Sequence, residues 1–198
     1  MRQELCVCAE LPNINTQLKI CVLVHPKEVL RPTNTGRLAH LCLTNSEYIE
    51  RTHGDLSSYQ PDPFLRGDNV WTLFPSEDAL EITDPRVQVE MSKGPATLIV
   101  PDASWKQASK MVNHIPSLRH SRKLKLPPSS FVSQYFLRRI DDLSRLSTLE
   151  SIALALGFLE GEHIRDALLR AQGLMVIRTL KARGSFARIV NEMTESKL

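Results

Sequence analysis

Asp102 and Trp105 stand one helical turn apart in the run LIVPDASWKQASKM, where a short apolar stretch gives way to a helical pattern. A carboxylate at such a join has two uses. It caps the helix, which is worth about 1 kcal/mol, or it faces a ligand as a hydrogen-bond or proton acceptor. An indole one turn further on would then wall the same pocket or stack on a flat ligand. A second group, Asn34, Thr35, Gly36 and Arg37, follows a short loop and opens a helix. Free backbone N–H groups there favour an anion, and Arg37 would add a bidentate grip; an ordinary capped helix with a solvent-facing Arg reads the same way. A third group, Ser147, Thr148 and Glu150, has the spacing of a capping box, with Glu150 also able to meet a ligand hydroxyl or amine. Cys6 and Cys8 are only half the ligand set of a structural zinc. Cys21 and Cys42 sit in apolar patterns as core residues, so no metal is expected.

These groups need elements to hold them. Continuous apolar runs at residues 18–26 (LKICVLVHP), 69–76 (NVWTLFPS) and 96–101 (ATLIVP), with a fourth at 122–127 (RKLKLP), predict strands buried on both faces. Residues 34–44 predict a helix with Leu38, Leu41 and Cys42 on one stripe, and residues 102–114 another, with Asp102 as its N-cap. The C-terminal third reads as helical: residues 147–161, then about 162–183 with Ile164, Leu168, Leu169, Met175 and Ile177 inward. Strands alternating with helices predict an α/β fold, a mostly parallel sheet with helices on both faces. Ligands of such sheets bind beyond the C-terminal strand ends, where Asp102 falls. Residues 54–69 read as a loop, a mobile flap.

The 198 residues, 42% hydrophobic and 24% charged, fit a single soluble domain over 1–198. No apolar run is long enough to cross a bilayer, and the N-terminus lacks the apolar region of a secretory signal. Four cysteines in a chain this long do not make a disulfide framework, so a cytoplasmic location is expected. The net charge of +3 is unevenly spread. Residues 44–91 carry about three acids per base, whereas residues 103–125 hold Lys106, Lys110, Arg119, Arg122, Lys123 and Lys125 with no acid. A basic face of this kind suits a phosphate backbone.

Four blocks in order, HPKE (25–28), TNTGRLAHL (33–41), PDASWKQASKM (101–111) and STLESIALAL (147–156), resemble the DTW-domain proteins. The family signature Asp-Thr-Trp is represented by Asp102-Ala103-Ser104-Trp105, Ser104 keeping the hydroxyl. The likeness runs from about Cys6 to Arg183. It implies a SPOUT-like sheet with a C-terminal trefoil knot. It implies transfer of the 3-amino-3-carboxypropyl group from S-adenosylmethionine to N3 of a tRNA uridine, leaving methylthioadenosine. The family usually has a Cys-x-x-Cys ahead of a Cys-x-Cys, so residues 1–16 read as the remnant of a cysteine-bearing segment. Under this resemblance Asp102 would accept the uridine proton, its pKa raised by burial beside Trp105, and Trp105 would stack on a base. Asn34 to Arg37 or Ser147 to Glu150 would hold the donor, and the six cations would hold tRNA phosphates. A methyltransferase on the same scaffold and a non-catalytic RNA-binding protein are the alternatives.

Overall fold

A computed structural model describes residues 5–51, 69–128, 131–137 and 145–187. Its centre is a six-stranded sheet: β1 (Lys19–Val24), β2 (Ser46–Glu50), β3 (Val70–Leu73), β4 (Leu80–Glu81), β5 (Thr97–Asp102) and β6 (Arg122–Lys125). The spatial order is β2-β1-β5-β3-β6-β4, and every pairing is parallel. The helices are α1 (Pro26–Val29), α2 (Thr35–Cys42), α3 (Pro85–Met91), α4 (Trp105–His114), α5 (Pro116–His120), α6 (Thr148–Leu159) and α7 (Glu162–Ala182).

The two-residue period of the strands divides the core in two. Ile20, Val22, Val24, Leu98 and Val100 pack with α2, α6 and α7, while Cys21, Leu23 and Ile99 pack with Met111 and Val112 of α4, Ile115 between α4 and α5, and Leu118 of α5. Helices therefore cover both faces, which is why the central strands are apolar throughout. Full burial of α6 residues such as Leu149, Ile152 and Leu156 contributes about 1.5–3 kcal/mol each. The same alternation continues past Val100 to Asp102, whose side chain is thus delivered to the α2–α6 face.

Four strands match the apolar runs. The edge strands β2 and β4 were not expected, because SEYIE and LE are partly exposed and carry no apolar run. Three further expectations are corrected. Ser104, not Asp102, is the N-cap of α4: Gln107 Oε1 accepts from the Ser104 N–H (3.1 Å) and Oγ (2.6 Å), and Asp102 still belongs to β5. The buried stripe of α2 is Thr35, Leu38, Ala39 and Cys42, leaving Leu41 exposed. On α7, Ile164, Leu168 and Met175 are buried, Leu169 is partly so, and Ile177 is exposed. Residues 54–68 of the expected flap lie outside the described residues.

Glu160, at the end of α6, accepts from the backbone N–H of Gln17 (3.0 Å) and Leu18 (2.7 Å) just before β1. Gly161, which follows, has φ +131°, a left-handed value that favours glycine and turns the chain into α7. Among the described residues no helix is long and apolar enough to cross a membrane.

Cys6 and Cys8 are exposed, Cys21 and Cys42 buried. Hydrogen bonds from Cys8 hold the Cys6 thiol below its usual range, whereas burial pushes Cys42 up to about 11. Of the two, Cys6 is the thiol more easily deprotonated and Cys42 the less. Among the described residues no three His, Cys, Asp or Glu side chains gather as a metal site would need.

Candidate active site

Three separate stretches meet at Asp102, which is 2% exposed. Asn34 Nδ2 donates to its Oδ2 at 2.5 Å, and Thr148 Oγ1 donates to its Oδ1 at 2.6 Å. Asn34 also caps α2, its Oδ1 accepting from the Arg37 N–H at 2.5 Å. Between them lies Gly36: a Cβ there would stand 2.8 Å from Asp102 Cγ and Oδ2 and 2.9 Å from Val22 Cγ1, so the helix approaches the carboxylate as closely as only a hydrogen permits. The Asp102 carbonyl accepts from the His25 N–H, tying the end of β5 to the HPKE turn. Each of the four sequence blocks thus has a place in one junction.

Behind Thr148, Glu150 is fully buried and takes four hydrogen bonds. Oε2 accepts from the Ser147 N–H (2.7 Å) and Ser133 Oγ (2.8 Å), Oε1 from the Gln134 N–H (2.7 Å) and Gln172 Nε2 (2.9 Å). Ser147 Oγ accepts from the Glu150 N–H and donates to Gln172 Oε1 at 2.7 Å. Every acceptor position of that carboxylate is used internally, so it braces residues 133–134 and α7 around the start of α6. Ser133, Gln134 and Gln172 were missed from the sequence. A lone Gln in the apolar run ALLRAQGLMV was the available signal, since a buried amide needs polar partners.

The ligand-sized space is a cavity of about 230 Å³ at the C-terminal ends of β3, β5 and β6. Leu73, Phe74 and Pro75 line it after β3, Val100, Pro101 and Ala103 around the end of β5, and Leu124, Lys125 and Leu126 along β6. Trp105 and Ala108 of α4 and Leu146, Thr148 and Ser151 at the start of α6 complete it. Trp105 is 46% exposed and tilts against Phe74, their centroids 6.3 Å apart. Thr148 belongs both to this wall and to the Asp102 junction. Asp102 is therefore set behind the cavity, with Thr148 between. A larger hollow of about 440 Å³ lies at the other end of the sheet, bounded by Gln17, Leu18, Met91 and Glu160. No expected site residue borders it, and its one carboxylate already holds the chain before β1.

The remaining expected residues divide. Thr35 is buried beside the junction, its Oγ1 without a hydrogen-bond partner. Arg37 turns away from Asp102: its guanidinium donates to the Val29 carbonyl (2.9 Å), lies 3.7 Å from Glu50 and sits over the Tyr48 ring. Lys106 and Lys110 are exposed on α4, next to Trp105 and one turn on. Arg119 is exposed at the end of α5, and Arg122 opens β6, so both lie near the opposite end of the sheet. Arg122 bonds Glu90 at 2.9 Å and covers the Trp71 ring. Lys123 is 7% exposed and its Nζ donates to the carbonyls of Arg119 and Ser121, a cation closing the end of α5. The six cations do not form one face.

A parallel α/β sheet with a crevice beyond its carboxyl ends defines a protein of the open-sheet α/β class, in which ligands bind at that position. Comparison then identifies it further. The chain belongs to the DTW domain family, which matches residues 1–180. It is similar to tRNA-uridine aminocarboxypropyltransferase 2 of Drosophila melanogaster, 30% identical over 179 residues, covering 83% of this chain and 66% of the relative. It is also similar to the protein of the same name from Macaca fascicularis, 30% identical over 177 residues, covering 85% of this chain and 57% of the relative. The chain thus spans less than two thirds of the length of these relatives.

Proposed function

We propose that this protein transfers the 3-amino-3-carboxypropyl group of S-adenosylmethionine to N3 of a tRNA uridine. The single observation that carries the reading is the convergence on Asp102 of Asn34, Gly36 and Thr148, beside a cavity that Trp105 and Thr148 share. The relatives' names support the tRNA substrate and the transferred group. The walls suit a nucleoside sulfonium: apolar Leu73, Val100 and Leu124, the Phe74–Trp105 ring pair, two hydroxyl residues, Thr148 and Ser151, and one lysine, Lys125. The SPOUT-like connectivity with a C-terminal knot belongs to this reading. Its support is the parallel order of the strands and the return of α6, which follows β6 in the chain, onto α2 and β5. A cytoplasmic location accompanies it.

In the reaction the uridine N3 bonds to the propyl carbon attached to sulfur, and the carbon–sulfur pair leaves with methylthioadenosine. All three carbons on that sulfur are electrophilic, so the product depends on which one the protein aims at the base, a positioning effect. Trp105 stacks on one ring of the bound ligands. The N3 proton passes to Thr148 Oγ1 while Thr148 gives its own to Asp102 Oδ1, along the 2.6 Å bond already in place. Asn34 and Gly36 hold Asp102, and Ser147 and Glu150 hold Thr148. Thr35 lends its unpartnered hydroxyl to the same region.

Nucleoside mass spectrometry of unmodified tRNA incubated with the protein and S-adenosylmethionine tests the reading. An aminocarboxypropyl-uridine is expected; a methylated uridine would establish the methyltransferase alternative, and unmodified tRNA would refute transfer. Among the cations, Lys106 and Lys110 are the exposed pair nearest the cavity. The double variant Lys106→Glu, Lys110→Glu is expected to weaken tRNA binding and lower the slope of log affinity against log salt by about 1–2. An unchanged slope in a filter-binding titration would move the RNA face away from α4.

A further inference from the structure

We infer that Lys125 anchors the carboxylate of the donor's amino-acid arm, and so determines which carbon is presented to the base; this rests on the donor reading above. Lys125 is the one formally charged residue in the wall of the 230 Å³ cavity, among leucine, proline, valine and aromatic side chains. Strand alternation explains how it arrives there. Lys123 and Lys125 share a face of β6, two residues apart. Lys123 is consumed by the carbonyls at the end of α5. Lys125 lies one repeat further along β6, beyond α5, where the strand end opens into the cavity. Its backbone is fixed by the Ile82 N–H, which donates to its carbonyl at 2.9 Å. No acid pairs with its ammonium among the described residues, while nearby Glu81 accepts from Thr83.

A half-buried lysine lining a largely apolar wall favours an anionic partner, because desolvation of its charge is offset only by an opposite charge or strong acceptors. Two anions come with the substrates: the donor carboxylate and an RNA phosphate. The exposed Lys106 and Lys110 suit the phosphate, which stays at the surface of a folded RNA. A lysine at the wall of a small cavity suits the small carboxylate. Fixing that group orients the propyl arm rather than the methyl.

Isothermal titration with S-adenosylmethionine and with its decarboxylated analogue tests this on the full chain and on Lys125→Met and Lys125→Arg. The unaltered protein is expected to bind S-adenosylmethionine about 10–100-fold more tightly than the analogue, the strength of one charge-assisted contact. Lys125→Met should bind both at the analogue's level, and Lys125→Arg should keep most of the preference. Equal binding of the two ligands by the unaltered protein overturns the assignment without any variant. A preference that survives in Lys125→Met overturns it and leaves the donor reading intact. Loss of tRNA affinity with donor affinity unchanged overturns it in favour of a phosphate contact. Failure of the unaltered protein to bind either ligand overturns both this assignment and the donor reading.

Discussion

Asp102→Asn is expected to lower the rate of transfer about 10²–10⁴-fold, the usual contribution of a positioned proton acceptor, while donor and tRNA affinities stay within a few-fold. The geometry explains why so small a change does so much. Asp102 accepts from both Asn34 and Thr148. An amide can accept from only one of them with its oxygen and must donate with its nitrogen. The Asn34 amide has hydrogens to give, so the oxygen turns toward it and the new NH₂ faces Thr148. The threonine hydroxyl then accepts from residue 102 and directs its own hydrogen into the cavity. A group arranged to receive a proton becomes one that offers it. Single-turnover kinetics separates this from a folding defect, since the fall should lie in the chemical step with the melting temperature little changed. Full product formation by this variant would remove Asp102 from the chemistry.

The second large effect concerns stability. Glu150→Ala strips partners from the Ser147 N–H, Ser133 Oγ, the Gln134 N–H and Gln172 Nε2 at one buried point. Each orphaned buried donor costs about 1–3 kcal/mol, and partial rearrangement leaves a total of at least about 3 kcal/mol. For a chain of this size that lowers the melting temperature by about 6–12 °C. Glu150→Gln retains one acceptor oxygen and should fall between the two. Thermal denaturation followed by circular dichroism measures both, and a Glu150→Ala variant that melts with the parent would show that the brace is dispensable. Activity should fall as well, because Thr148 is positioned by the turn that Glu150 closes.

The junction was legible in outline because its members sit in local patterns. Asn34 and Ser147 occupy cap positions, Gly36 follows a cap, and Asp102 ends an apolar run. Their meeting was not derivable from spacing, since it depends on the parallel order of strands and on α6 crossing to α2. The family likeness grouped the blocks without saying what touches what. Lys123 shows the opposite failure: in RKLK it looks like its neighbours, and only the period of two against α5 buries it. Gln172 and Ser133 gave little warning, since each reaches Glu150 across more than fifteen residues of chain. The edge strands escaped for a different reason, being too polar and short to stand out from the turns around them.

Glu160 has a consequence for the order in which the molecule is completed. The N–H groups it receives precede the innermost segments of the sheet, yet it is synthesised more than 140 residues after them. During translation β1 emerges some eighty residues ahead of its neighbour β5, and the carboxylate that secures its approach follows later still. The nascent chain must carry an unfinished apolar ribbon until those residues are made, and such non-local closure makes folding slow. Arrested translation before α6 would therefore release a sticky fragment, not a smaller working domain.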